Sequence, residues 1–342
     1  SYQERFDGSQ AIEDGKQLLA LKDQTIIWRL LNKDNKLALK VYGKNEPATL
    51  SQILPILENF GLTVLSAQTY RFASKTPVWL QEYRLVLNEK NSQDNQDSDS
   101  KDRNDNQKTI DFDTVKDQVE QALAEIWHGQ IESDPLNELI LTTALNSYDV
   151  VVLRALSRYM IQATAPFSTS YIHQTLLSNK KLASLLIELF HCKFDPKQQD
   201  DRTKDQLSHI HQRIDDELTQ VSSLDEDRII HWFIELLQAM VRTNFYQSDD
   251  NGNKKDRLSF KFKASDISGL PKPKPMFEIY VYSPRTEGVH LRGGKVARGG
   301  LRWSDRMEDY RTEVLGLVKA QMVKNAVIVP VGSKGGFVVK DK

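Results

Sequence analysis

A single cysteine, Cys192, occurs in the 342 residues. That excludes an internal disulfide and any metal site built from cysteines. No apolar run approaches the roughly eighteen residues of a membrane span, and residues 1–10 are too polar to read as a secretion signal. Charge of one sign is also missing, since 46 Lys and Arg face 47 Asp and Glu for a net charge of −1. Such a balance excludes a globally basic nucleic-acid binder and a long acidic tail. Neither a phosphate-binding G-x-x-x-x-G-K-[ST] loop nor a dinucleotide-binding G-x-G-x-x-G occurs anywhere. These absences lead us to expect a reduced, soluble, cytoplasmic protein with neither membrane nor nucleic acid as partner.

What is present is ordinary on average, with 39% hydrophobic, 8% aromatic and 27% charged residues, enough to bury real cores. The length suits two or three domains at about 100–200 residues each. The average conceals an asymmetry. Residues 281–342 carry twelve Lys or Arg, six Asp or Glu, and nine of the sixteen glycines. Glycine and positive charge gathered together suggest tight backbone turns around something anionic.

Residues 89–108, EKNSQDNQDSDSKDRNDNQK, contain no apolar side chain. They cannot bury enough surface to offset the entropy of ordering, so they read as a disordered linker. Ahead of it, 1–88 reads as a compact α/β module. Helices are expected at 12–22 and from Thr49 or Ser51 to Phe60, the second ended by Gly61. Strands are expected at 25–31, 36–42, 62–71 and 78–87, the last with alternating Val78, Leu80, Tyr83 and Leu85. This order resembles a ferredoxin-like module of the ACT type lacking its first strand, which implies one antiparallel sheet with two helices on one face.

From 109 to 250 the apolar spacing of three and four predicts a helical domain, with helices near 115–127, 136–145, 149–163, 170–177, 182–190, 204–221 and 226–242. Asp149 and Ser170 sit at expected N-caps, and Ser223-x-x-Glu226 has capping-box spacing. His191, His209, His211 and His231 raise the question of a metal. His209 and His211 lie two apart, on different sides of a helix, whereas ligand pairs on a helix need three or four. Packed or surface histidine fits better, and Cys192 reads as a buried, inert thiol.

The chemistry concentrates between Val289 and Gly336, in VHLRGGKVARGGLRWSDRMEDYRTEVLGLVKAQMVKNAVIVPVGSKGG. Strands at 258–262 and 277–282 precede it. Tyr310, Val314 and Leu317 form a helical seam whose next steps reach Gln321 and Lys324, a polar amide and an ammonium where apolar residues were due. A buried lysine needs a partner, because desolvating it costs several kcal/mol. A lysine snorkelling at the helix end is the alternative. Residues 326–330, AVIVP, suit a buried strand, leading into the glycine-flanked Lys334. Desolvation there would lower the lysine's pKa and make it a usable base; a plain turn is the other reading. Gly293-Gly294 and Arg298-Gly299-Gly300 would let backbone N–H groups approach a carboxylate or phosphate. RNA would compete for this basic patch, which has only Trp303 nearby as a stacking surface.

The motifs Arg298-Gly299-Gly300-Leu301-Arg302, Gln321-x-x-Lys324 and Pro330-Val331-Gly332-Ser333-Lys334-Gly335-Gly336 resemble the substrate-binding core of the glutamate dehydrogenases. The surrounding text is most similar to their very large NAD-dependent bacterial branch. The resemblance implies an α+β multidomain chain: an ACT-like module over 1–88, a linker over 89–108, a helical domain over 109–250, and the start of an α/β substrate domain over 255–342. It also implies oxidative deamination of L-glutamate to 2-oxoglutarate and ammonia. Lys334 would be the catalytic lysine, activating a water for attack on the imine carbon. Gln321, Lys324 and the Gly299 backbone would hold the substrate α-carboxylate. Arg298 matches a lysine that grips the side-chain carboxylate in the small enzymes, and the loop before Lys334 is one glycine shorter than their PxGGxKGG.

The family's catalytic aspartate and NAD-binding domain have no counterpart here. The chain thus reads as a middle piece of a longer, homo-oligomeric enzyme, with NAD held elsewhere and no activity of its own. The alternative is a regulatory or assembly region that senses an amino-acid effector through the ACT-like module.

Overall fold

A computed structural model describes residues 2–21, 25–33, 36–73, 76–88, 112–143, 145–197, 203–294, 299–324 and 332–340, with backbone alone for 33, 113, 114, 203 and 321–324. The chain is α+β and divides into two compact units, 1–147 and 148–342. That division falls inside the stretch 109–250 expected to form one helical domain. The expected linker at 89–108 and strand at 326–330 lie outside the described residues.

In the first unit, helices α1 (Tyr2–Arg5) and α2 (Gly8–Ala20) precede strands β1 (Ile26–Lys33) and β2 (Lys36–Lys44). Asp7 caps α2, accepting from Gln10 N at 2.8 Å. Helix α3 (Leu50–Asn59) starts at Thr49, whose N–H donates to Gln52 Oε1 at 3.0 Å. It ends at Gly61, whose φ of +71° is open to glycine at no steric cost. Strands β3 (Leu62–Phe72) and β4 (Val78–Leu87) follow, then α4 (Phe112–Trp127) and the short α5 (Glu138–Thr142). The helix expected over 136–145 is only this short piece, entered through a 3₁₀ turn at Pro135–Asn137.

The sheet order is β1-β2-β4-β3, antiparallel throughout. Strand β4 therefore fills the central position that the missing first strand of a ferredoxin-like module would take. The helices differ from expectation. Asp14 of α2 reaches Lys40 and Tyr42 on one sheet face. Gln81, on the other face, donates to Ala48 O at the entrance to α3. Trp28, on that same face through the Trp28–Val41–Gln81 register, meets the Trp127 ring of α4 at 5.9 Å. Thus α3 and α4 share a face and α2 covers the opposite one. The module is a circular permutation, in which α4 takes the place of the first helix.

The second unit opens with helices α6 (Ser147–Gln162), α7 (Thr169–Ser178), α8 (Lys180–Phe194), α9 (Thr203–Leu218) and α10 (Leu224–Ala239). The caps shift from expectation by one or two residues. Ser168, not Ser170, accepts from Tyr171 N, and Asp149 sits in the first turn of α6. Ser223 does accept from Glu226 N. Helix α10 stops earlier than expected because Met240–Thr243 joins the sheet as β5. Strands β6 (Leu258–Lys263), β7 (Phe277–Tyr282), β8 (Thr286–Arg292) and β9 (Leu301–Trp303), helix α11 (Tyr310–Lys324) and strand β10 (Ser333–Val339) complete the unit. Among the described residues the sheet order is β5-β6-β7-β8-β10-β9, parallel only between β9 and β10.

Candidate functional site

The glycine-flanked lysine is part of a strand. Lys334 pairs with Leu291 of β8, and Gly335 pairs with His290 on one side and Leu301 of β9 on the other. The turn reading fails because both flanks of the segment are occupied by ladder partners. Lys334 is half-buried. By the period of two, its side chain leaves the sheet on the face of Gly336. A β-carbon on Gly336 would lie 2.5 Å from Val314 Cγ2 of α11, so that face carries the helix.

The direction of α11 follows from two contacts. Tyr310 lies beside Glu287, which pairs with Val338, and Val314 lies over Gly336. Four helical residues rise about 6 Å, close to the rise of two strand residues. Helix α11 therefore runs antiparallel to β10, and its C-terminal half lies toward the Lys334 end. Its buried stripe is Tyr310, Arg311, Val314, Leu315 and Val318, whereas Leu317 is only half-buried. Gln321 and Lys324 occupy the last turn, one turn beyond Leu317 and Val318. Their side chains, and all of Arg298, lie outside the described residues.

Gly299 comes to the same place by backbone contact. A β-carbon on it would sit 1.5 Å from Ser333 O, and Gly335 N donates to Gly300 O at 3.1 Å. The structure therefore brings Gly299 against the residue preceding Lys334. It also shows what sequence reasoning missed. Ser333 is 1% exposed, and its hydroxyl finds no hydrogen-bond partner among the described residues.

A buried polar network underlies the site. Arg311 and Glu278 are ion-paired with both side chains fully buried; Arg311 Nε donates to Glu278 Oε2 at 2.9 Å and its Nη2 to Oε1. Tyr159 Oη donates to Glu278 Oε2 at 2.7 Å. Burial, reinforced by the Glu278 charge, holds the Tyr159 phenol protonated far above its ordinary range. Gln162 Oε1 accepts from Arg311 N at 3.2 Å, while its Nε2 donates to Met307 O and Glu308 O at 3.0 Å each. Beside it Glu287 accepts from Tyr280 Oη at 3.0 Å and pairs with Lys340 at 2.7 Å. The signal was available in FEIYVY, where Glu278 occupies an inward position of the alternation with Tyr280 and Tyr282.

On the opposite sheet face, burial and the charge of Arg292 lower the pKa of His290 below 6.5. His191 is packed rather than free, held between Asp149 Oδ1 at 2.8 Å and Tyr246 Oη at 2.5 Å. Cys192 is buried, and burial raises its pKa, which suits an inert thiol. His211 and His231 line an open cleft of about 930 Å³ with Phe167, Asp215 and Trp232. Among the described residues no group of three His, Cys, Asp or Glu is placed to hold a metal, and no helix is long and apolar enough to cross a membrane.

Comparison with known proteins matches three family profiles. Residues 27–98 match the ACT3 domain of glutamate dehydrogenase, 131–196 its helical motif 3, and 213–342 the catalytic domain of bacterial NAD-glutamate dehydrogenase. The chain is 42% identical over 346 aligned residues to the NAD-specific glutamate dehydrogenase of Pseudomonas aeruginosa, covering 98% of this chain and 20% of that protein. The corresponding proteins of Halomonas elongata and Mycobacterium tuberculosis are 40% and 37% identical, with 99% of this chain and 20% of each relative covered. The chain thus spans about a fifth of the length of these relatives.

Proposed function

This chain belongs to the large bacterial NAD-dependent glutamate dehydrogenases, and from that premise we propose that the protein carrying it deaminates L-glutamate oxidatively to 2-oxoglutarate and ammonia. The observation that carries the reading is the meeting of β10, α11 and the Gly299 backbone around Lys334. Lys334 is the base or electrostatic activator of the attacking water. Lys324, Gln321 and the Gly299 backbone hold the α-carboxylate. Arg298 takes the side-chain carboxylate with a guanidinium fork where the small enzymes use an ammonium.

NAD supplies the hydride acceptor. The residues at hand do not fit it: no G-x-G-x-x-G is present, and the glycines around Lys334 are engaged in a β-ladder. No step of the dinucleotide chemistry is therefore assigned to this chain. The setting we propose is a cytoplasmic homo-oligomer.

Steady-state kinetics on the full-length enzyme tests the assignment. Lys334→Ala lowers kcat by about 10²–10⁴ with little change in glutamate KM, because positioned proton transfer acts in the transition state. Lys324→Ala and Arg298→Ala raise KM strongly, each leaving a carboxylate without its charged partner. A Lys334→Ala enzyme within about threefold of wild type would remove the central role of this lysine.

The match of 27–98 to an ACT3 domain favours a second, compatible role for the first unit, the sensing of an amino-acid effector. Thermal stabilisation of the protein by an amino acid, abolished by substitutions in this unit alone, is its test.

A further inference from the structure

Arg311 stands at the second residue of α11, with its guanidinium wholly buried on Glu278 of β7. The carboxylate is held from two elements at once, by the Arg311 fork and by Tyr159 of α6. Gln162 of α6 accepts from the Arg311 backbone and binds the carbonyls of Met307 and Glu308, just ahead of the helix. Two residues on, still in the first turn, Glu313 accepts from Ser304 Oγ at 2.6 Å and pairs with Arg302 Nε at 3.2 Å, tying the same helix to β9. Helix α11 is thus gripped at its first turn by directional polar contacts to β7, α6 and the β9 segment.

A buried ion pair is a poor source of net stability. Desolvation consumes most of its Coulomb gain, and an apolar pair of similar volume is often as good. What the fork does supply is geometry, because two parallel N–H···O bonds admit one orientation. Along a helix, a slip of one residue displaces every later side chain by about 1.5 Å and turns it by about 100°. The apolar seam below opposes such a slip by burial, which is not directional, and beneath Val314 it meets Gly336, which offers no side chain to interlock. The far end of the helix carries Gln321 and Lys324, over the Lys334 end of β10.

We propose that Arg311, through Glu278 and Tyr159, is a positioning residue that sets the register of α11 on the sheet and so holds the carboxylate-binding end of the helix at the correct distance from Lys334. The inference rests on the site assignment made above. It adds that glutamate recognition depends on a buried network touching neither substrate nor cofactor.

The test is the paired variant Glu278→Leu with Arg311→Met in the full-length enzyme. Expected are a melting temperature close to wild type, a glutamate KM raised roughly ten- to a hundredfold, a kcat lowered by up to about a hundredfold because the bound substrate then sits off Lys334, and an unchanged KM for NAD. Arg311→Lys, which keeps the charge but loses the fork, should fall between wild type and Arg311→Met in glutamate KM. A paired variant with wild-type glutamate KM overturns the proposal. Should the pair fail to fold, Tyr159→Phe decides, since it removes a single hydrogen bond from Glu278. A severalfold rise in glutamate KM supports positioning, and an unchanged KM overturns it. Lys324→Ala in the same assay separates the two layers. If it leaves KM unchanged, the site assignment itself falls; if it raises KM while the network variants do not, only the positioning role falls.

Discussion

A β-carbon on Gly299 would lie 1.5 Å from the carbonyl oxygen of Ser333, so two stretches of backbone more than thirty residues apart touch where no side chain fits. The contact seats the loop before β9 beside the strand that carries Lys334. Gly299→Ala should therefore force β9 away from β10. We expect a loss of activity of about a hundredfold or more in the full-length enzyme, and destabilisation of roughly 1–3 kcal/mol, typical of overpacking. Gly300→Ala, where a β-carbon meets nothing within 4 Å, is the control and should be mild. Equal, small effects at both positions would contradict the close approach.

In the first unit, Lys40 Nζ donates to both oxygens of Asp14 at 2.8 Å, and Tyr2 and Tyr42 donate to the same carboxylate at 2.6 Å each. Lys40 and Asp14 are both buried. Lys40→Met leaves the carboxylate buried without its counter-charge and should cost about 3–5 kcal/mol. Combining it with Asp14→Leu should restore much of that loss, because neither charge is then stranded. Urea denaturation of the two variants measures the difference, and equal destabilisation by both would refute the pairing.

His290 gives a pH dependence of definite sign. Burial and the neighbouring Arg292 charge lower its folded pKa below 6.5. As pH falls through about 6.5, the unfolded chain takes up the proton first, so stability declines toward acid. His290→Gln removes this contribution, and its stability profile between about pH 7 and pH 5 should be flatter than wild type. A steeper profile would mean that the histidine is charged in the folded state.

Calorimetry on the isolated 342-residue chain should show no NAD binding, because the sequence contains no dinucleotide-binding glycine pattern. A dissociation constant in the range of about 1–100 µM would place a cofactor site within these residues.

Periodicity and capping chemistry were legible in the sequence because they are local. Alternation over Val78–Leu87 marked a strand, Thr49 and Gly61 bracketed a helix, and the seam from Tyr310 marked the helix bearing Gln321 and Lys324. The glycine and lysine motifs around Lys334 carried the family resemblance without any structure. Tertiary contact decided what lies beyond a period's reach. A period states which face is buried, not which element covers it. Strand β4 therefore enters the centre of its sheet, and α4 rather than α2 joins α3 on one face. From Ser333 onward the GSKGG segment is a strand because β8 and, from Gly335, β9 pair with its edges. Glu278 and Arg311, 33 residues apart, meet only because β7 and α11 pack across the sheet. Within that buried space each charge is tolerable only with its partner, and the fold alone brings the two together.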